Sequence, residues 1–551
     1  MPHARLTLAA SLLVLCASVP AAQCELETQE FSAPDGELGD LFGYRLARAG
    51  DVLVVAATSD DDLGIDAGSA FVYERCASGW QLAKKLLASD GTAGDGFAYS
   101  LAVDGATAIV GAPQHGGRGQ VYVFARDQGG AGNWGELGRF TPATVAAGAQ
   151  FGFSLAVAGD HLAVGAPYTG LARPGSVYLY RHDPASASGW TLERELTSVL
   201  PSTGFSFGHA LAFDGERLAV SGATVARLPY PPSFVVHLIE RNAGGPDRWS
   251  EVRRISSSLA QPDLFGYRVA LAGNTLAVAA PTETSLALGA IGALYVFERE
   301  RGGPDNWGES VRIEGPESAL FTPEQVVLAG DWLVAGSPSS TNAGGVFVYS
   351  RNVGLESGFG FVTEIQDLPL EPGSAFGQAL AVEGDELLVS ASGGYVGGPH
   401  GEVYAYDLAR LARASWRGDS GHRNVDSLSA EAPILGTTTS LFVDLATTGH
   451  AHAAVMVCAD PQERVLPGGQ VLLGRGLLRV VFLHAPRSGL VYSLPANPAL
   501  CGVRLTLQAA HLDAGRPFVL SNAQDLVLGV RVRRATHSGS RVPIPRSHAW
   551  R

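Results

Sequence analysis

Lysine is almost absent from this chain of 551 residues, in which Lys84 and Lys85 are the only lysines among 39 basic residues. Charged residues make up 17% and hydrophobic residues 46%, so the chain is too apolar and too weakly charged to be intrinsically disordered. It lacks a run of about 18 uninterrupted apolar residues, so no transmembrane anchor is expected. Its 69 glycines follow no Gly-X-Y period, which excludes collagen and predicts many turns between short strands.

The first residues indicate export. An apolar run over residues 6–19 is followed by small residues at Val19-Pro20-Ala21, as at a signal-peptidase cleavage site. Residues 1–21 are therefore predicted to be a secretory signal peptide, and the mature protein is expected outside the cytoplasm.

Cysteine is scarce, with five residues in the chain. Cys16 would leave with the signal peptide. The four that remain, an even number in an exported chain, favour disulfide bonds. Cys24–Cys76 and Cys458–Cys501 are the preferred pairs because each stays within one region, and free buried thiols are the alternative.

Charge is distributed unevenly along the chain. Residues 1–408 carry 23 basic and 45 acidic residues, a balance of −22, whereas residues 409–551 carry 16 and 8, a balance of +8. This asymmetry indicates two modules, and the acidic one argues against a nucleic-acid partner. We predict a linker over 409–427, a β-sandwich over 428–535 from its short strands and Gly/Pro turns, and a disordered basic tail over 536–551.

An internal repeat organises residues 25–408. A Phe-Gly pair or a close variant recurs at intervals of 54 to 58 residues. A Gly-Ala-Pro element or a variant begins 14 positions after the Phe in six repeats and 15 positions after it in the sixth. Each repeat holds up to four strand signals, which is the content of one propeller blade. The seven phenylalanines are Phe42, Phe97, Phe151, Phe207, Phe265, Phe321 and Phe376.

The two ends of the repeat array predict how it closes. The seventh repeat has three strand signals, and an orphan strand-like segment, residues 26–31, precedes the first Phe-Gly. We expect this segment to supply the missing strand, because closure removes open sheet edges. The predicted fold is all-β: a seven-bladed β-propeller closed by an N-terminal strand, followed by a C-terminal β-sandwich. Tryptophans of the fourth strands are expected in the core between blades: Trp80, Trp134, Trp190, Trp249 and Trp307.

The Phe-Gly and Gly-Ala-Pro elements at this spacing resemble the FG-GAP repeats of integrin α-subunit propellers, and more closely those of secreted bacterial proteins. The resemblance covers residues 25–408 and implies a bacterial protein that is secreted or held at the cell surface or in the periplasm. Integrin-type repeats carry calcium loops between the first and second strands. Here those connections are short hairpin turns, so the family's metal sites do not carry over.

One acidic cluster is left as a metal candidate. Asp60, Asp62 and Asp66 lie in the second-to-third-strand loop of the first blade, where calcium is a hypothesis and a solvated acidic loop the alternative. No other cofactor is expected. The sequence has no HExxH, GxSxG or phosphate-binding glycine motif, so no catalytic residue is predicted. Arg417-Gly418-Asp419 matches the tripeptide that integrins recognise, and whether it matters is left open.

The sequence therefore predicts an exported, non-enzymatic binding or adhesion scaffold, expected to be a monomer, that presents propeller loops to an extracellular protein or glycan. The alternatives are a structural protein of the cell envelope and, third, a carbohydrate-active enzyme with paired carboxylates in a propeller pocket. The presenting loops are those that differ most between repeats: residues 59–68, 114–119, 168–174, 223–233, 282–292, 339–344 and 392–400.

Overall fold

A computed structural model of the protein describes the propeller almost throughout and the strands of the C-terminal region. The described residues are 27–37, 39–168, 175–198, 206–223, 234–257, 264–284, 291–303, 306–315, 321–338, 344–351, 353, 358–366, 373–393, 401–411, 413–417, 428–430, 438–443, 452–460, 464–465, 471–472, 475–483, 488–493, 504–512 and 519–527.

The repeats fold into seven four-stranded antiparallel sheets. In blades 1 to 6 the four strands pair in chain order, so each repeat builds one sheet. The strands of these six blades are β2 (Phe42–Ala49), β3 (Val52–Ala57), β4 (Ser69–Cys76), β5 (Gly79–Leu86); β6 (Ser100–Asp104), β7 (Thr107–Ala112), β8 (Gln120–Arg126), β9 (Trp134–Phe140); β10 (Ser154–Ala158), β11 (His161–Ala166), β12 (Ser176–His182), β13 (Trp190–Thr197); β14 (Leu211–Phe213), β15 (Arg217–Ala223), β16 (Phe234–Arg241), β17 (Trp249–Ile255); β18 (Arg268–Ala272), β19 (Thr275–Thr284), β20 (Ile291–Glu298), β21 (Gly308–Glu314); β22 (Gln325–Ala329), β23 (Trp332–Ser337), β24 (Gly345–Arg351) and β25 (Phe359–Ile365).

The seventh blade confirms the predicted closure. It contains β26 (Phe376–Glu383), β27 (Glu386–Ala391) and β28 (Glu402–Asp407), and its fourth strand is the N-terminal β1 (Glu27–Phe31). β1 pairs antiparallel with β28, with Phe31 opposite Val403. The innermost strands contact one another in a complete cycle, β2, β6, β10, β14, β18, β22, β26 and back to β2.

The hydrophobic core lies between the blades. Among the described residues of the propeller, buried side chains form seven clusters, and each cluster joins the facing sheets of two neighbouring blades. The fourth-strand tryptophans belong to these clusters and are at most 5% exposed, which confirms their predicted role: Trp80, Trp134, Trp190, Trp249 and Trp307.

Glycine lets the blades approach closely at the inner strands. A Cβ at Gly111, in the Gly-Ala-Pro element of blade 2, would lie 2.1 Å from the carbonyl oxygen of Gly152 in blade 3. The same contact recurs between Gly165 and Gly208 at 2.2 Å. The repeated motifs are therefore the surfaces along which adjacent blades meet backbone to backbone.

The C-terminal region is also built from antiparallel strands. Its sheets are a five-stranded one in the order β29-β38-β37-β32-β35, a three-stranded one in the order β30-β31-β36, and the pair β33-β34. The first strand falls in the range predicted as linker and pairs with the last strand of the region. The bounds are β29 (Arg413–Arg417), β30 (Leu428–Ala430), β31 (Thr438–Val443), β32 (His452–Asp460), β33 (Arg464–Val465), β34 (Val471–Leu472), β35 (Arg475–Leu483), β36 (Ser488–Ser493), β37 (Arg504–Leu512) and β38 (Val519–Val527).

Helical structure in the described part of the chain is limited to two three-residue 3-10 turns, His115–Gly117 and Leu408–Arg410. None of the described helices is long and apolar enough to cross a membrane. The predicted signal peptide, residues 1–21, and the predicted basic tail, residues 536–551, lie outside the described residues.

Candidate functional site

Two adjoining cavities lie at the end of the ring where the second-to-third-strand loops leave the blades. The inner one is on the propeller axis, and the outer one is lined by blades 2 to 4. The backbone around each repeat phenylalanine brings the inner strands there. In the first blade, Leu41 and Gly43 on either side of Phe42 have φ values of 59° and 90°. These left-handed conformations turn the chain sharply between the incoming loop and the innermost strand.

The residue two positions after the phenylalanine is aromatic in the first five blades. These rings contact one another in blade order, with centroid separations of 5.8, 4.9, 5.3 and 5.6 Å. We call this set the aromatic rim. Its members are Tyr44, Tyr99, Phe153, His209 and Tyr267.

The outer cavity, of about 310 Å³, opens beside this rim. Pro113 and Gln114 from the loop of blade 2 and Tyr168 from the loop of blade 3 line it together with three rim residues. Tyr168 packs edge-on against Phe153, with ring centroids 5.5 Å apart. The rim and the variable loops therefore share one face of the propeller.

The inner cavity, of about 240 Å³, is lined by residues from six of the seven innermost strands, which places it on the axis. Arg45 of blade 1 and Arg268 of blade 5 both line it. They occupy the same repeat position, immediately after Tyr44 and Tyr267. We call this space the arginine chamber.

Each arginine is held by the tyrosine that precedes it. Arg45 Nη1 donates to the Tyr44 carbonyl oxygen at 2.9 Å, and its guanidinium carbon lies 4.3 Å from the Tyr44 ring centroid. Arg268 makes the equivalent contacts with Tyr267, at 3.0 and 4.7 Å. Both guanidinium groups are therefore oriented by a carbonyl and by the face of an aromatic ring.

The electrostatics of the chamber reflect its burial. Desolvation lowers the pKa of Arg268, and the positive charge of Arg45 lowers it further. Burial, followed by the charges of Arg268 and Arg45, lowers the pKa of His209 to about 3, so its imidazole is neutral at neutral pH. Burial raises the pKa of Glu324 of blade 6, and the two arginines partly oppose that shift.

None of the motifs found in the sequence predicts this site. Its only trace in the sequence is that Phe-Gly-Tyr-Arg occurs in the first and the fifth repeat, at residues 42–45 and 265–268. Aligning the seven repeats on their phenylalanines would have shown the shared position, but not that the two side chains meet in one chamber.

The predicted calcium candidates are arranged around a lysine. Lys85 Nζ lies 2.7 Å from Asp60, 2.8 Å from Asp62 and 3.0 Å from Asp35. Burial alone would lower the pKa of Lys85, but the hydrogen bonds with these carboxylates outweigh it and raise that pKa. Asp66 lies apart from this cluster, is exposed, and donates its backbone N–H to Asp61 Oδ1 at 2.8 Å. Within the described ranges, no group of three or more His, Cys, Asp or Glu side chains is arranged to hold a metal ion.

The predicted disulfides stay predictions. Cys76 is exposed at the end of β4, where its Sγ lies 3.0 Å from Ser78 Oγ, and its predicted partner Cys24 lies outside the described residues. Cys458 lies in β32, and Cys501 is outside the described residues.

The remaining sequence candidates fall partly outside the described residues. Arg417 is the last residue of β29, whereas Gly418 and Asp419 of the tripeptide lie outside them. Of the seven presenting loops, only residues 59–68 and 114–119 are described in full.

The FG-GAP repeat family model matches residues 26–73, 80–124 and 134–180. No curated protein matches the sequence. Among solved structures, Sqt1 from Chaetomium thermophilum is similar at 12% identity and a TM-score of 0.41, over 67% of this chain and 97% of that one. A candidate 6-phosphogluconolactonase from Bacteroides uniformis is similar at 10% identity and a TM-score of 0.42, over 79% and 100%. Similarities of this size carry no functional inference.

Proposed function

This chain is a seven-bladed FG-GAP repeat β-propeller, and on that premise we propose that it is an exported, non-enzymatic binding or adhesion scaffold of a bacterium. Its ligand, a protein or glycan outside the cytoplasm, contacts the loop face and the axial cavities that open there. The observation that carries the proposal is the outer cavity, in which loop residues and the aromatic rim line a single space.

The framework supports this role because it is rigid where the blades meet. Backbone contacts at Gly111 and Gly165 leave no room for even a methyl group. The loops that leave this framework differ in length, from 11 residues at 223–233 and 282–292 to 6 residues at 114–119. A constant frame that carries variable loops is a common way to build a binding surface.

The experiment is a pair of screens with the mature full-length protein, a glycan array and a pull-down from the surfaces of intact cells. A Gln114→Ala/Tyr168→Ala variant changes the loop face, and Asp104→Ala changes an exposed hairpin at the opposite end of the blade. We expect the first variant to lose at least about tenfold in affinity for the ligand found and the second to bind normally.

Each alternative gives a different outcome. Two blank screens, with the protein recovered in the insoluble envelope fraction, would favour the structural envelope protein. Release of reducing sugar from a bound glycan would favour the carbohydrate-active enzyme. Either result would overturn the proposed function.

A further inference from the structure

The arginine chamber is lined by two guanidinium groups that form no ion pair with a carboxylate of the described residues. Among the described residues, no Asp or Glu oxygen lies within 4.0 Å of a guanidinium nitrogen of Arg45 or Arg268, although most other arginines of the propeller form such pairs. Both arginines are partly buried, and a partly buried cation that relies on carbonyls and ring faces is only partly compensated for its lost hydration. The two guanidinium groups therefore form a preorganised site for an anion.

The other titratable groups near the chamber leave the charge excess in place. Glu324 contributes at most one negative charge against two guanidinium groups, and its burial favours the neutral carboxyl. His209 is neutral at neutral pH. Burial raises the pKa of Tyr99 to about 12, so its phenol is neutral as well. A positive chamber with low-dielectric walls attracts an anion even though the whole chain carries −14.

The other residues that line the chamber indicate which class of molecule bears the anionic group. The amide of Gln325 lines the chamber. Ser100 and Ser154 line it too, but their Oγ atoms donate to the carbonyl oxygens of Gly152 and Gly208, both at 2.6 Å, in the contacts between blades. Aromatic faces and an amide around a cationic centre match a sugar ring, which has apolar C–H faces and polar hydroxyls.

The size of the two cavities fits the same ligand. About 240 Å³ is the space of roughly eight waters, enough for one pyranose ring with its substituents. The outer cavity shares Tyr99, Phe153 and His209 with the chamber and has room for a second ring. A chain end can thus enter from the loop face.

We propose that the arginine chamber binds the terminal uronate of an acidic oligosaccharide, with its carboxylate between Arg45 and Arg268 and its ring beside Tyr99 and Phe153. The next sugar lies in the outer cavity. This inference rests on the proposed function and gives its glycan alternative a chemical class. Guanidinium groups suit this role because they pair with carboxylates through two parallel hydrogen bonds.

The test is calorimetric titration of the full-length protein with digalacturonate, its methyl ester and neutral digalactose at low ionic strength. We expect digalacturonate to bind at least about tenfold more tightly than either uncharged ligand, and to weaken as salt is added. Arg45→Gln and Arg268→Gln should each reduce its affinity at least about tenfold. Arg248→Gln, at an exposed arginine outside the cavities, should not change it.

Thermal unfolding of each variant separates loss of the site from loss of the fold. Because each Arg→Gln change removes one of two like charges, we expect unfolding midpoints close to wild type. Arg45→Lys keeps the positive charge but loses the planar guanidinium that can donate two parallel hydrogen bonds, so this variant should bind digalacturonate with intermediate affinity.

Three outcomes would overturn the inference. The first is equal binding of digalacturonate and its methyl ester, and the second is unchanged binding of digalacturonate by both Arg→Gln variants. The third is displacement of bound digalacturonate by a poly-aspartate peptide at a lower concentration than by unbound digalacturonate. If digalacturonate fails while another ligand from the screens binds the loop face, the inference is wrong and the proposed function stands. If every ligand fails, both are wrong.

Discussion

The side-chain amide of Gln29 and the backbone of Trp80 exchange two hydrogen bonds, each of 2.8 Å. Gln29 Nε2 donates to the Trp80 carbonyl oxygen, and the Trp80 N–H donates to Gln29 Oε1. Gln29 lies on β1, the strand that completes blade 7, whereas Trp80 lies at the start of β5, the fourth strand of blade 1. This pair therefore fastens the seam at which the ring closes.

Gln29→Ala should weaken that seam. Losing both bonds leaves the Trp80 backbone groups partly buried and unpaired, so we expect the free energy of unfolding to fall by about 1–2 kcal/mol. Gln81→Ala removes the same side chain from an exposed position of β5 and should have little effect. Thermal and urea unfolding of the two variants make the comparison, and equal midpoints would show that the amide does not hold the seam.

Gly111→Ala tests the close approach of blades 2 and 3. The added Cβ would meet Gly152 O at 2.1 Å and Ser100 Oγ at 2.3 Å, and the backbone atom cannot move away cheaply. We expect a loss of more than about 2 kcal/mol in stability or failure to fold. Gly105→Ala is the control: its φ is +53° but nothing lies within 4 Å, so its cost should be about 1 kcal/mol. A Gly111→Ala protein as stable as this control would contradict the contact.

Lys85→Met tests whether the lysine compensates the acidic loop of blade 1. Asp60 is 3% exposed and would lose its cationic partner, which lies 2.7 Å away. Stability should fall by about 2–4 kcal/mol, whereas Lys84→Met at the exposed neighbour should be nearly neutral. Unfolding midpoints of the Lys85→Met and Lys84→Met proteins at neutral pH make the comparison, and equal midpoints would contradict the prediction.

Calorimetric titration of the wild-type protein with millimolar calcium tests the hypothesis of a calcium site in this loop, and an absence of heat would remove it.

His209 should make the propeller acid-sensitive. Its pKa falls from 6.5 to about 3 on folding, so between these values the unfolded chain binds a proton that the folded protein does not. Stability from this group is thus full above about pH 6.5 and is lost as the pH falls towards 3, by up to about 5 kcal/mol. His209→Gln should flatten the dependence of the unfolding midpoint on pH in this window.

The matched variant for that series is His182→Gln, at an exposed histidine on β12. It should leave the pH dependence as in the wild type. If the unfolding midpoints of the His209→Gln and His182→Gln proteins depend equally on pH, the claim that the buried imidazole of His209 is neutral in the folded protein is wrong.

The local sequence was sufficient to predict the blades, but it was not sufficient to predict the arginine chamber. Hairpin turns such as Gly50-Asp51 and the strand pairing around them depend on neighbouring residues, so their pattern is visible in one repeat. The ion pairs between Lys85 and the acidic loop of blade 1 could not be predicted from the loop itself, because Lys85 comes from a different strand of the blade. A strand was also missed at Arg413–Arg417, since its partner β38 lies more than a hundred residues along the chain.

The sequence by itself determined the number of blades and the way the ring closes, because the spacing of Phe-Gly and Gly-Ala-Pro and the orphan strand at residues 26–31 require no knowledge of distant contacts. Only the tertiary structure decided that Arg45 and Arg268 share one chamber. The physical reason is closure: equivalent positions in different repeats converge on the axis only when all seven sheets have come together around it.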